Sequence, residues 1–515
     1  MTKPIKHIVI VGGGSAGWLT AAILAAEYQT NDYGLTITLI ESPDIASVGV
    51  GEGTWPSMRS TLKKIGISET TFLSHCDASF KQGSKFVNWQ KPNSQYYHPF
   101  TLPINYQEFN LAPHWLKFKE QVSFANAVSF QAQLCERGLA PKQISTAEYS
   151  FNANYGYHLD ASKFAQLLQQ HSTTKLGVVH ILDQVQQVHN ADNGDIASLS
   201  TKHNGIISGD LFIDCTGSAA LLIGQHYQIK LREQSQSLAN NSALALHLPY
   251  PEANSPIASQ TTAIAQDNGW IWDIGLQSRR GVGYVYASAY CTDEQAEQTL
   301  RTYIEPSIGN QAAASAELRK LSFTPGYREK FWHKNCVAIG MSAGFIEPLE
   351  ASALALIELS AKMVAEQLPA NRTMMDIIAQ RFNDKFSERW LQIIDFLKLH
   401  YVLSERTDSQ YWRDHQQLEH CSKSLQQALA LWRYQSPYHY DITQTESLFP
   451  SASFQYILYG MGFLSEPQHT PRNNQHISAQ QLFKENQQRC QQLTSVLTDN
   501  RTLLNKIRQF GLPPI

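Results

Sequence analysis

The residues near the N-terminus whose types and spacing can do chemistry are Gly12-Gly13-Gly14-Ser15-Ala16-Gly17 and the acid Glu41. In a G-x-G-x-x-G turn the first glycine, Gly12, permits the tight bend. Gly14 lets backbone approach a pyrophosphate, and Gly17 lets helix and strand pack closely. The helix that follows offers free N–H groups at its N-terminus and a partial positive charge that suit phosphates. Glu41 can accept hydrogen bonds from an adenosine ribose. Positioning these groups takes a strand, a helix and a second strand in that order. His7 to Val11 is a β-branched run of the kind found in buried parallel strands. Trp18 to Ala26 reads as a helix rich in small residues, and Leu35 to Ile40 as a strand ending at Glu41. The alternative is a glycine-rich turn in an unrelated α/β fold.

Later segments favour FAD over NAD. Asp192-Asn193-Gly194-Asp195 reads as a hairpin turn. Leu211 to Gly217 reads as a strand ending in a turn, similar to the second FAD-contacting strand of two-domain flavoprotein monooxygenases.

The 515 residues, 43% hydrophobic and 17% charged, are those of a globular chain able to bury a large core. A net charge of -3 gives no electrostatic reason to expect nucleic acid or an anionic membrane as partner. Seven scattered cysteines form no CxxC pair, which predicts free thiols, no metal site and a reducing, cytoplasmic setting. There is no signal-peptide pattern and no run of about 18 apolar residues, so neither export nor a membrane span is expected.

Several motifs in order resemble the flavin-dependent tryptophan halogenases. Gly49-Val50-Gly51-Glu52-Gly53-Thr54-Trp55-Pro56 is similar to the family's strap between flavin and halide site. Phe80 to Trp89 is similar to the segment carrying its catalytic lysine, which falls on Lys81. Tyr97-His98-Pro99-Phe100 resembles an aromatic substrate segment. Gly269 to Ile274 resembles the WxWxIP signature. Cys336-Val337-Ala338-Ile339-Gly340, leading into Phe345 to Ser352, resembles the segment with the catalytic glutamate. Gly460-Met461-Gly462-Phe463 resembles a late motif. The matches span Lys3 to Phe463. They imply a Rossmann-type, FAD-binding, monooxygenase-like α/β fold with a C-terminal helical region. The expected division is a FAD-binding domain with interleaved β-sheet and halide strap over 1–353, and a mainly helical substrate-pocket region over 354–515.

The resemblance implies that reduced FAD and oxygen turn chloride or bromide into hypohalous acid, which reaches an electron-rich arene in a separate pocket. FAD contacts are expected from Gly12, Gly14, Ser15, Ala16, Gly17, Glu41, Val50, Gly51, Ile339 and Gly340. Lys81 would hold the electrophile by a hydrogen bond or as a haloamine. The plain alternative is a surface lysine, since Lys85 follows at helical spacing. Glu350 would take the ring proton; Glu347 or Glu350 could instead cap the helix predicted over Ser352 to Ala365. Ser352 and Ala353 fall at the halide position, where a helix N-terminus suits an anion. They replace the usual Thr and Gly, and Gly275 replaces the usual Pro of WxWxIP. Trp270 and Trp272 alternate with Ile271 and Asp273 as on a strand. In the family they keep the flavin from acting as a monooxygenase; the alternative is core packing.

His98, Phe100 and Phe449 fall where the family lines its arene pocket. The stretch Tyr438 to Pro450 is shorter than in tryptophan-specific members, and Leu448-Phe449 stands in place of a Phe-Trp pair. No carboxylate aligns on the amine-binding acid, which predicts an indole-like aromatic and not necessarily free tryptophan. Strands are expected at Ala243 to Leu248 and Gly283 to Ala289. Helices are expected at Arg381 to His400, Leu418 to Trp432 and, as one or two, Ser478 to Phe510. There is no second GxGxxG for NAD(P)H, and the resemblance implies a separate flavin reductase that delivers FADH2. A homodimer is compatible with the sequence. The rival readings are an aromatic flavin monooxygenase, disfavoured by the lack of Asp in Gly340 to Gly344, and a non-catalytic FAD-binding protein.

Overall fold

The computed structural model describes residues 4–28, 34–45, 51–442, 448–466 and 473–515. Two compact units emerge, each drawn from three segments. The first comprises Met1–Ala78, Leu159–Gln234 and Phe323–Trp390; the second comprises Ser79–His158, Ser235–Ser322 and Leu391–Ile515. The expected division after residue 353 falls within a helix of the first unit, Ser352–Glu366.

At the centre of the first unit lies the strand His7–Val11. It is paired in parallel with Thr36–Glu41 on one side and Leu211–Asp214 on the other. Val179–Leu182, Cys336–Ala338 and the antiparallel edge Trp332–His333 complete six strands. Ile8, Val9 and Ile10 are wholly buried, as an uninterrupted apolar strand covered on both faces must be. The helix Ser15–Tyr28 packs against Ala161–Thr174 and Ser352–Glu366. The turn at 192–195 does form a hairpin, closed by Gly194 N–H donating to the Ala191 carbonyl at 2.8 Å.

The second unit holds a seven-stranded sheet. Its order is Arg319–Ser322, Ser242–Pro249, Arg279–Tyr286, Gly269–Gly275, Thr261–Gln266, Gly83–Val87 and Gln95–Pro99. One neighbouring pair is parallel, Thr261–Gln266 with Gly83–Val87. The strand expected at Gly283 to Ala289 runs instead over Arg279–Tyr286. Its pairing starts with Arg279 opposite Pro249 on one side and Arg280 opposite Gly275 on the other, and the chain turns after Tyr286. Gly281 and Gly283 hide this register in the sequence. Gly283 is required there, because a Cβ would sit 2.1 Å from the Trp272 ring.

Two of the expected helices have other boundaries, and the last stretch resolves as two helices. The helix expected from Arg381 begins at Arg372 and ends at Val402. The one expected from Leu418 starts as a single tight turn, Leu418–His420, and restarts at Lys423–Trp432. Ser422 interrupts it by accepting the Leu425 N–H at 3.0 Å, as an N-cap does. Asp499 likewise divides Asn473–Val496 from Asn500–Phe510. No helix among the described residues is long and apolar enough to cross a membrane.

Candidate active site

The glycine turn has the shape of a phosphate cradle. Gly12 has φ +113°, and a Cβ there would lie 2.2 Å from the Cys215 carbonyl oxygen. A Cβ on Gly17 would lie 1.8 Å from the Gly12 carbonyl oxygen. At Gly14 nothing lies within 4 Å, so the space above the helix N-terminus is open. Tight packing below and open space above are what a pyrophosphate on the first-turn N–H groups needs, so these residues fit the ADP half of FAD. Glu41 closes the second strand. Its Oε2 accepts from Trp18 Nε1 at 3.3 Å, and His180 Nε2 lies 3.1 Å from the same oxygen. Gly13 was not singled out in the sequence, yet a Cβ there would fall 2.1 Å from the Glu41 carboxyl carbon. Gly340, at φ +78°, brings the later segment against the same helix, 2.8 Å from Ala16 Cβ if it carried a Cβ. Ile339 N–H donates to the Asp214 carbonyl at 3.0 Å, fixing that crossing. Val50 lies outside the described residues. Gly51 opens the short strand Gly51–Gly53, where burial pushes the Glu52 carboxyl up to about 7.

In the same unit the helix Ser352–Glu366 carries the expected halide residues at its start. Neither Glu347 nor Glu350 stands at its N-cap position. The N-cap is Ala351, in the left-handed region at φ 53° and with no side-chain cap of its own. Glu347 and Glu350 are both buried. The Glu350 carbonyl accepts from Trp55 Nε1 at 2.9 Å, a link from the strap to the glutamate that the sequence did not reveal. Ser352 is buried, and Ala353 presents its backbone on the opening turn. Together with Gly340, Phe345, Ile346 and Pro348 they line a small cavity of about 60 Å³. A helix N-terminus at such a cavity suits a small anion. Deeper in the helix, Glu358 accepts from Ser57 Oγ at 3.0 Å and Thr61 Oγ1 at 2.5 Å.

Lys81 belongs to the second unit. It ends the strand Ser79–Lys81, and only 1% of it is exposed, which overturns the surface-lysine alternative. The helical spacing to Lys85 is also undone, since Lys85 lies on the next strand, Gly83–Val87. Lys81 Nζ stands 5.4 Å from the Phe100 ring centroid. Buried amides brace the junction: Gln82 donates to the Leu139 carbonyl at 2.6 Å, and Gln131 donates to Gln82 Oε1 at 3.3 Å. Ser79 Oγ donates to the Gly275 carbonyl, and a Cβ on Gly275 would press within 2.9 Å of the Tyr250 hydroxyl. The glycine that departs from the family signature thus has a local reason. Trp270 is a core residue, 6.3 Å from Trp89, while Trp272 is only partly buried.

His98, on the strand Gln95–Pro99, pairs through Nε2 with Ser453 Oγ at 2.9 Å and lies 5.5 Å from the Phe396 ring. Phe449 is buried and stacks on Phe396 at 3.8 Å. Ser453 and Phe396 were not foreseen, because each meets His98 across hundreds of residues. Within Tyr438 to Pro450, residues 443–447 lie outside the described residues. Asp441 accepts from Trp432 Nε1 at 2.6 Å and from the Tyr438 N–H at 2.8 Å. Tyr438 donates to the Tyr106 carbonyl at 2.8 Å.

This is the fold of a Rossmann-type flavoprotein of the monooxygenase-like kind with a helical C-terminal region. The family described as tryptophan halogenase matches residues 7–476. Tryptophan 6-halogenase SttH of Streptomyces toxytricini is 33% identical over 90% of this chain and 90% of its own. Tryptophan 7-halogenase RebH of Lentzea aerocolonigenes is 30% identical over 84% and 83%. Among solved structures, a tryptophan halogenase from Shewanella frigidimarina NCIMB 400 shares 55% identity and a TM-score of 0.97, covering 100% of this chain and 99% of that one. The flavin-dependent halogenase BrvH from Brevundimonas sp. BAL3 shares 29% identity and a TM-score of 0.86, covering 98% and 99%. The chain belongs to the tryptophan halogenase family and is a flavin-dependent halogenase, a halogenating oxidoreductase.

Proposed function

We propose that this enzyme halogenates an electron-rich, indole-like aromatic that need not carry the amino-acid head group of tryptophan. The carrying observation is Asp441. Both its oxygens are engaged by Trp432 and Tyr438, in the stretch that grips the amino acid in tryptophan-specific members. A carboxylate that already accepts a hydrogen bond on each oxygen within the protein has less left to offer a substrate ammonium.

Reduced FAD, when bound, supplies the two-electron activation of oxygen that oxidises chloride or bromide to hypohalous acid. Gly12 to Gly17, Glu41 and Gly340 would hold it, with Gly51 and Ile339 beside them. The N–H groups at Ser352 and Ala353 would hold the halide. Lys81, buried and set over Phe100, would orient hypohalous acid by its ammonium or carry the halogen on its amine. Glu350 would accept the ring proton as aromaticity returns. His98, Phe100 and Phe449 would line the arene. A separate flavin reductase would deliver the FADH2.

The test combines purified protein with FAD, a flavin reductase, NADH, oxygen and bromide or chloride. Indole, tryptophan and a small set of phenols are offered, and products are read by mass. The expected outcome is halogenated indole, abolished by Lys81→Ala. A hydroxylated product without halogen would replace this reading with the monooxygenase.

A further inference from the structure

We propose that His158 is the proton-accepting partner of Lys81, taking a proton from the lysine as its amine engages hypohalous acid. This rests on the active role proposed for Lys81. The strand Ser79–Lys81 runs antiparallel to Gly156–Asp160, with Ser79 opposite His158 and Lys81 opposite Gly156. Side chains alternate along a strand, so Ser79, Lys81 and His158 share one face. Phe80 and Tyr157 share the other, their rings 6.2 Å apart. Gly156 brings no side chain, so the cross-strand neighbour of Lys81 on its own face is the diagonal His158. Diagonal pairs lie about 7–8 Å apart, within reach of long side chains.

Both residues are buried, Lys81 at 1% exposure and His158 at 0%. His158 Nε2 pairs with Thr261 Oγ1 at 2.9 Å. Its Nδ1 has no hydrogen-bond partner among the described residues. With Nε2–H donating to the threonine, Nδ1 carries the free lone pair of a base. An orphaned nitrogen on a wholly buried imidazole calls for an explanation.

Burial first, and then the Lys81 ammonium on the opposed strand, hold His158 well below the usual histidine range. The ring is therefore neutral at working pH and able to accept. As the lysine loses its charge, its repulsion of imidazolium disappears while the larger effect of burial remains, so the acceptor strengthens in part when the proton must move. In the balanced step, Lys81–NH3⁺, HOX and imidazole become Lys81–NHX, water and imidazolium. The N–X bond forms and the O–X bond breaks, its electron pair staying on oxygen. One ammonium proton completes the water, and the other goes to His158.

The experiment measures indole bromination by the holoenzyme from pH 6 to pH 10 for wild type, Lys81→Ala and His158→Gln. Glutamine keeps a polar group for Thr261 but cannot take the proton. The expected result is a kcat lower by about tenfold or more at neutral pH with KM for indole little changed. The deficit should narrow as pH rises toward the lysine's own ionisation. In parallel, one equivalent of hypobromous acid is added to flavin-free protein, and the bromoamine on Lys81 is followed by mass spectrometry. It should form more slowly in the variant. Thr261→Val, which removes the partner fixing the tautomer, should show the same pH-dependent loss in weaker form and serves if His158→Gln does not fold. Wild-type kcat in the variants, or a loss equal at every pH, overturns the relay while leaving Lys81 its role. Product from Lys81→Ala overturns the reading of Lys81 and the relay with it.

Discussion

Replacing Glu358 with glutamine should make the protein more stable in alkaline solution than the wild type. Glu358 is 4% exposed on the helix that opens with Ser352 and Ala353. Burial pushes its carboxyl from the ordinary 4.5 up to about 7, and hydrogen bonds from Thr61 and Ser57 offset only part of that push. At about 1.4 kcal/mol per tenfold change in proton affinity, the gap amounts to about 3 kcal/mol. The folded state binds this proton more tightly than the unfolded state does. Below pH 4.5 both states are protonated and the group costs nothing. Between 4.5 and about 7 the unfolded state ionises first, and stability falls as pH rises. Above about 7 the native state carries a buried anion, and the full cost of about 3 kcal/mol stands. Glu358→Gln stays neutral throughout and keeps one acceptor oxygen. Urea denaturation of both proteins at pH 5, 6, 7 and 8 should give curves that nearly coincide at pH 5 and separate progressively toward pH 8, with the variant the more stable. A difference that does not change with pH would refute the reasoning, since only ionisation of this carboxyl supplies the pH dependence.

Gly340→Ala should weaken FAD binding. The new Cβ would lie 2.8 Å from Ala16 Cβ at φ +78°, a strain on the order of 1–3 kcal/mol placed on the helix N-terminus. Titration followed by flavin fluorescence checks this, and an unchanged Kd for FAD would count against the cradle. Trp55→Phe removes the 2.9 Å hydrogen bond to the Glu350 carbonyl, worth about 1 kcal/mol. Its kcat for halogenation should fall while the Kd for FAD stays constant; a wild-type kcat would show that the strap does not position Glu350.

The nucleotide half was legible in the sequence because its signals are local. A buried parallel strand is a short apolar run, and a tight turn needs glycine at fixed offsets. Thus His7–Val11, Gly12, Gly17 and the terminal acid Glu41 stand where the linear pattern placed them. The free cysteines and the hairpin at 192–195 were equally local readings. The family motifs located Lys81 and Glu350 but not their surroundings. A lysine four residues from another looks like a helix surface until strand pairing buries it. Two glutamates before a helix look like caps until Ala351 takes the cap position. The partners of the site residues lie far away in sequence: Trp55 with Glu350, Ser57 and Thr61 with Glu358, His98 with Ser453, and His158 with Thr261. Local propensity and periodicity say nothing about such pairs, because sheet register and helix packing bring them together only when the whole core closes. The sequence by itself determined the nucleotide turn and the order of the elements. Tertiary structure alone decided which polar groups are buried and which distant residues they meet, because only the closed core brings those residues together.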